Sequence, residues 1–420
     1  LENKSAIYRL LGANLISGFT QGLNMIAIPW YFIDIVKEGS IYGVLFATLT
    51  FIALFWTLYA GTLIDRFNRK NIFLIINMTG FIILISFGIF GVINDGLPLW
   101  MVGFIFMFSV MVFNIHYPAV YAFSQEIMEP EHYGKINSML EVQGQTSSMI
   151  AGALAAFLLG GTSGKLDWLN TRFGINIEPW GIHEIFLLDG ITYLIAFIVI
   201  YSIRYTSLSE HVYIKESLVK RFKEGLHFLK NNKAVMWFGL LSYSVFIVTI
   251  VEGFYLAAIY VSDYLKEDAV VYTSAELLYA AGALTAGLFI RKLFKQLHSI
   301  KAILIIMGLL SVGFFTCGLT QSSLIFILFN FFLGLSNAGT RVLRVTYIFN
   351  LIPNKIIGRV NGIFSSYQTL MRGLFILLFS LPFFMEAQNI RIAFMIFGAF
   401  LIISGILLFS LTKELSKREM

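Results

Sequence analysis

Four residues in this sequence can take up and release a proton from apolar surroundings: Glu141, Glu252, Glu276 and His116. Each stands in a run with few other charges, where an ionised carboxylate is costly and protonation removes the cost. Histidine has an intrinsic pKa suited to proton handling, although a lone histidine beside Tyr117 also serves packing. Glu141 begins near the edge of its run, where gate packing and proton transfer account for it equally well. Three arginines share such surroundings. Arg341 and Arg344 are three apart and on one helical face, close enough to the end of their run to reach headgroups. Arg372 is expected near the middle of its run, where it must meet water, a solute or an acid from another segment.

Uncharged polar residues add a second pattern. Asn14, Ser17, Gln21 and Asn24 recur at three- and four-residue steps, a polar stripe that must face a partner helix or a wet cavity. Asn330 and Asn337 are seven apart, on one face of another apolar run. There is no Gly-rich phosphate cradle, metal-ligand cluster or nucleophile–base arrangement, so neither an enzyme nor a cofactor is expected. No nucleotide-binding segment is visible, so any pumping would use a gradient or a separate protein.

The elements that position these groups follow from composition. Of 420 residues 58% are hydrophobic and 13% charged, against about 25% charged in soluble domains. The mean hydropathy of +0.79 is spread along the whole chain, which makes lipid the solvent. Runs of about 20 residues that can cross the bilayer number twelve, near 7–33, 42–60, 71–93, 99–120, 137–160, 185–204, 234–256, 271–290, 301–320, 323–348, 359–384 and 391–411. The first run is read as a retained helix rather than a cleaved export signal. Tight turns are expected at Asn94-Asp95-Gly96 and Thr320-Gln321-Ser322.

Charge tests the count. With both termini inside, twenty-two of the 30 Lys and Arg residues fall in cytoplasmic segments, five outside and three within spans. That split supports multi-pass insertion with both termini cytoplasmic; the membrane expected is a bacterial inner membrane. Membrane lipid, a small molecule and protons are the expected partners of a monomer. Nucleic acid is not, because no basic face is long enough to track a phosphate backbone. Lone Cys317 is read as a small buried hydrophobe. The longest inside break divides the chain into 1–204, a linker at 205–233 and 234–420. Within the linker Val219, Phe222, Leu226 and Leu229 oppose Lys220, Lys223 and Lys230, as in an interfacial amphipathic helix; a charged linker with little structure is the other reading.

The break between spans 2 and 3, Gly61-Thr-Leu-Ile-Asp65-Arg66-Phe-Asn-Arg69-Lys70, resembles the signature loop of the major facilitator superfamily. Asn68 replaces the usual glycine, and is expected to supply a left-handed backbone. The resemblance implies an all-α integral membrane fold of twelve transmembrane helices in two six-helix halves. It implies a cytoplasmic gate braced by Gly61, Asp65, Arg66 and Arg69, and a substrate cavity lined by span 1, which makes Gln21 and Asn24 contact candidates; Asn330, Asn337 and Arg372 join them as cavity candidates by their own positions within spans.

Further segments resemble one branch, the drug:proton antiporters related to bacterial macrolide-efflux proteins. They are Pro118-Ala119 with Glu129-Pro130-Glu131 and Lys135-Ile-Asn137, then Arg221-Phe-Lys-Glu-Gly225, and Ile352-Pro353 with Gly358-Arg359-Val360-Asn-Gly362. Two features of many antiporters are missing: an arginine in span 4 and a Gly-Pro pair in span 5. The implied function is a secondary active transporter working by alternating access, with proton-coupled export of an amphiphilic or drug-like molecule. The runner-up solute is an anionic metabolite or siderophore-like chelator, and a non-transporting membrane receptor is the third reading.

Overall fold

Lipid offers a backbone no hydrogen-bond partner, so a chain this apolar must satisfy its amides within helices. The structure, a computed structural model, describes residues 3–127, 129, 132–161, 171–172, 174, 176–205, 218–293, 299–386 and 388–412, and these carry helices and no strand. In order they are α1 (Lys4–Trp30), α2 (Gly39–Arg66), α3 (Arg69–Ile93), α4 (Leu99–Ile127), α5 (Tyr133–Gly160) and α6 (Ile182–Tyr201). Then come α7 (Leu218–Asn231), the interrupted α8 (Lys233–Leu265), α9 (Ala269–Leu293), α10 (Ser299–Leu319), α11 (Ser323–Leu351), α12 (Asn354–Phe379), the short α13 (Pro382–Met385) and α14 (Ile390–Ser410).

Eleven of these are long and apolar enough to cross a membrane. The twelfth span is α1, 27 residues long, whose mean hydropathy is lowered by its own polar stripe. Both expected tight turns are present, the first with Asp95 at φ 52° and Gly96 at φ 145°.

Two spans differ from expectation. α8 continues to Leu265 through π-wound turns at Glu252–Leu256 and Tyr260–Leu265, the second of which takes up the polar Ser262 and Asp263 rather than ending at them. α12 stops at Phe379, since Pro382 holds Leu381 extended at φ −62°, ψ 143°. Arg372 is therefore not at mid-span: it lies five to six residues, roughly 8 Å, from the helix centre toward the C-terminus.

The spans fall into two compact units. The first contains Leu1–Lys37, Ile52–Tyr213 and Asp268–Leu277. In it α6 packs against α1 and α3, and α1 also against α5. Gly190 lets α6 approach α3 closely: a Cβ there would stand 2.8 Å from Ile85 Cγ1. That fit turns the neighbouring Asp189 toward α1.

The second unit contains Glu38–Phe51, Ile214–Glu267 and Leu278–Met420. Its core is aromatic, with Phe314 against Phe329, Phe394 and Phe397, and Phe375 and Phe379 against Phe397. Tyr260 closes the cluster and donates from its hydroxyl to the Cys317 carbonyl at 2.7 Å. α7 is helical with Leu229 buried, but Phe222 is 47% exposed, so the packed face is Gly225 and Leu229 against α12.

One geometry appears in both units. α1 continues into a π turn at Tyr31–Ile35, after which Lys37 has φ 61°; α8 ends in its π turn at Tyr260–Leu265, after which Lys266 has φ 59°. The two stretches read Tyr31-x-x-Asp34-x-x-Lys37-Glu38 and Tyr260-x-x-Asp263-x-x-Lys266-Glu267.

Candidate functional site

The signature loop is held by the ends of α4 and α6. Asn68 caps α3 by accepting from the Asn71 amide at 3.2 Å. Its backbone is extended, φ −60° and ψ 123°, not left-handed: the tight turn is made by a cap rather than by a glycine-like conformation. Arg69 Nη1 lies 2.7 Å from Glu126 Oε2, and the Tyr205 hydroxyl donates to Glu126 Oε1 at 3.0 Å. Burial and the Glu126 carboxylate push the Tyr205 phenol above its ordinary value, so it stays a donor. Lys70 Nζ donates to the carbonyls of Tyr201 and Ile203, and Arg9 to the Ser202 carbonyl. These cations meet the negative end of the α6 dipole. Arg66 is exposed, with its guanidinium over the Phe67 ring. Gly61 and Asp65 lie on α2, and the Asp65 side chain is outside the described residues.

Higher in the same unit the polar stripe of α1 meets two helices. Asn14 Oδ1 lies 2.6 Å from His116 Nε2 of α4, whose ring is edge-on to Phe73. Asn24 Nδ2 donates to Asp189 Oδ2 of α6. Ser17 bonds back to the Ala13 carbonyl, and Gln21 is buried with Nε2 unpaired among the described residues. Glu276, on the part of α9 in this unit, is half-buried and makes no hydrogen bond or ion pair among the described residues. The Glu141 side chain is outside them.

In the second unit Glu252 is fully buried at the first π turn, close enough for its charge to act on Cys317 and Tyr260. Asn337 Nδ2 donates to the Tyr279 hydroxyl at 2.7 Å, while Asn330 is satisfied within its own helix by the Phe326 carbonyl. Arg372 reaches Thr369 Oγ1 at 3.4 Å and lies over the Phe246 ring, with no acid paired to it among the described residues. Arg344 does not extend to the surface: it is 4% exposed, stacked 3.6 Å above the Tyr243 ring and bonded to the Ser242 carbonyl. Arg341 is exposed. Arg359, at the start of α12, pairs with Glu224 of α7.

Three residues of consequence carry weak signals in the sequence. Glu126 and Tyr205 sit at span ends, and Asp189 is a single acid within an otherwise apolar run. The stripe on α1 is the clue to Asp189, because Asn24 requires a polar partner. No group of three His, Cys, Asp or Glu side chains able to hold a metal occurs among the described residues.

No curated protein matches the sequence. Solved structures of the same fold include a mutant of the nucleoside transporter NupG, with TM-score 0.71, 10% identity and coverage of 97% of this chain and 99% of that one. A D-xylose–proton symporter gives TM-score 0.71 at 15% identity, covering 96% and 97%. A bacterial homologue of the iron transporter ferroportin in its inward-facing state gives 0.69 at 14%, covering 98% and 100%. The model of the Major Facilitator Superfamily matches residues 10–376. With that match across most of the spans, the chain belongs to the Major Facilitator Superfamily, multi-pass membrane proteins that act as secondary transporters by alternating access rather than as enzymes.

Proposed function

We propose that this transporter exports an amphiphilic or drug-like small molecule in exchange for protons, as a monomer in a bacterial inner membrane with both termini cytoplasmic. The observation that carries this reading is Glu276, a span carboxyl with neither hydrogen bond nor ion pair among the described residues. Such a group is costly when charged and inexpensive when protonated, the property a coupling acid needs. Glu252, Glu141 and His116 are the other coupling candidates. Gln21, with Nε2 unpaired among the described residues, offers a hydrogen bond to a solute, and Asn24, Asn330 and Asn337 do so by giving up their present bonds to Asp189, Phe326 and Tyr279; Gly61, Asp65, Arg66 and Arg69 belong to the gate. The resemblance to the macrolide-efflux branch supports an amphiphilic solute.

A second reading is favoured by Arg372, whose charge has no acidic partner among the described residues: the solute is an anion, including a siderophore-like chelator. Purified protein in proteoliposomes with an imposed pH gradient separates the readings. Neutral, cationic and anionic amphiphiles are offered in parallel, and flux that follows the proton gradient is expected. Greater loss of anionic than of neutral flux in Arg372→Ala selects the second reading. Flux indifferent to the gradient rejects proton coupling, and no flux with any solute selects a receptor.

A further inference from the structure

Asp189 is 1% exposed, and no cationic side chain pairs with it among the described residues. Its surroundings are neutral oxygens and one amide. Asn24 Nδ2 donates to Oδ2. Thr192 Oγ1 stands 3.4 Å from Oδ1 and 2.8 Å from the Asp189 carbonyl, and Thr20 Oγ1 is 2.7 Å from Thr192 Oγ1. From α6 the Tyr193 phenol is near enough to feel the Asp189 charge. α1 presents Thr20 and Asn24, and α3 presents Gly80 against Tyr193 and Ile85 against Gly190. His183 packs farther along α6, on Gly91. Among the described residues these contacts bring no titratable group other than Tyr193 to Asp189.

A bare carboxylate here would leave one uncompensated charge, more than one amide and the neutral hydroxyls of Thr20 and Thr192 can offset. A proton removes that charge and creates a donor. The acceptor is at hand: Asn24 Oδ1 is buried and has no hydrogen-bond partner among the described residues. With the amide turned over, Oδ1 takes the carboxyl proton and Nδ2 moves to the position that Oδ1 now holds. A single acid, with no second carboxylate, thiol or imidazole bonded beside it among the described residues, matches one positive charge and not two.

We propose that Asp189 is a proton-binding site of the N-terminal unit, its neutral carboxyl held by Asn24 and Thr192 with Thr20 bracing Thr192, and that this is a proton exchanged during transport. The last step rests on the proton-coupled reading above; the binding site does not.

The test is infrared spectroscopy of the purified protein in lipid between about pH 5 and pH 9, the span around neutrality where an ordinary aspartate is ionised. A carboxylic C=O band is expected at neutral pH in the wild type, missing in Asp189→Asn and retained in Glu276→Gln. Asn24→Leu should shift the band without abolishing it, which keeps the assignment readable if Asp189→Asn does not fold. Exchange of potassium for sodium at constant ionic strength should leave the band in place. Its loss with proton release would make sodium the ligand and overturn the proton. A spectrum with no band sensitive to position 189 or 24 would overturn the site. In proteoliposomes Asp189→Asn should keep solute flux but lose its response to the pH gradient. Wild-type flux without such a response would reject coupling while the band still supports the site.

Discussion

Arg69 of α3 and Glu126 of α4 form an ion pair at 2.7 Å in which the acid is 1% and the base 14% exposed. Removing one partner of a buried pair strands the other, typically at 3–5 kcal/mol. Glu126→Gln is expected to cost about 3 kcal/mol, the low end because Arg69 keeps some contact with water. A lower melting temperature in detergent shows it, and Arg69→Met combined with Glu126→Leu should recover part of the loss. An unchanged melting temperature in Glu126→Gln would refute the clamp.

Tyr205 donates to the same carboxylate, and its folded-state pKa is raised. A raised pKa means the stabilisation is whole below the unfolded value, about 10 for tyrosine, and is lost only as pH climbs through the folded value. Tyr205→Phe should therefore cost about 1.5–3 kcal/mol, as for a hydrogen bond to a charged group, by the same amount at pH 6 and pH 9. The two proteins should converge only in stronger alkali. A mutant penalty that changes across neutral pH contradicts this.

The Arg344 guanidinium carbon lies over the Tyr243 ring, 3.6 Å from its centroid. Arg344→Lys keeps the charge but loses the plane, so a loss of about 1–2 kcal/mol is expected from the desolvated cation–π contact. Tyr243→Phe retains the ring and should cost less. Equal melting temperatures in wild type and Arg344→Lys would show that the stacking contributes nothing.

Lys223 is exposed on α7, in the segment assigned to the cytoplasm by its basic residues. In a Cys317→Ser background, Lys223→Cys should react with an impermeant thiol reagent only when the membrane is opened. Labelling from outside in intact cells would reverse the topology.

The spans and the signature loop were readable because both depend on local pattern: apolar length in one case, fixed spacing in the other. Partners were not. Arg69 is conspicuous in its motif, yet Glu126 is 57 positions away in a run whose hydropathy it barely alters. Asp189 hides for the same reason, since one acid among so many apolar residues leaves the span intact. Arg372 lies nearer the end of its helix than its apolar run suggests, because Phe383 and Phe384 extend that run past the point where Pro382 ends the helix. Asn68 was read from its residue type as left-handed, whereas its side chain had a capping bond to make.

A π turn holds one residue more than the α-helical turn it interrupts, so every side chain beyond it is swung by about 100° around the axis. In α1 the turn itself carries Asp34, paired with Lys37 just beyond it, and in α8 the second turn carries Asp263. The insertion acts as a dial: excising one residue from Tyr31–Ile35 or Tyr260–Leu265 would re-aim the helix tip while leaving its stem unmoved. Because the same dial terminates a span in each unit, with the same Tyr, Asp, Lys and Glu on it, the two tips share one geometry and would answer to the same excision in the same way.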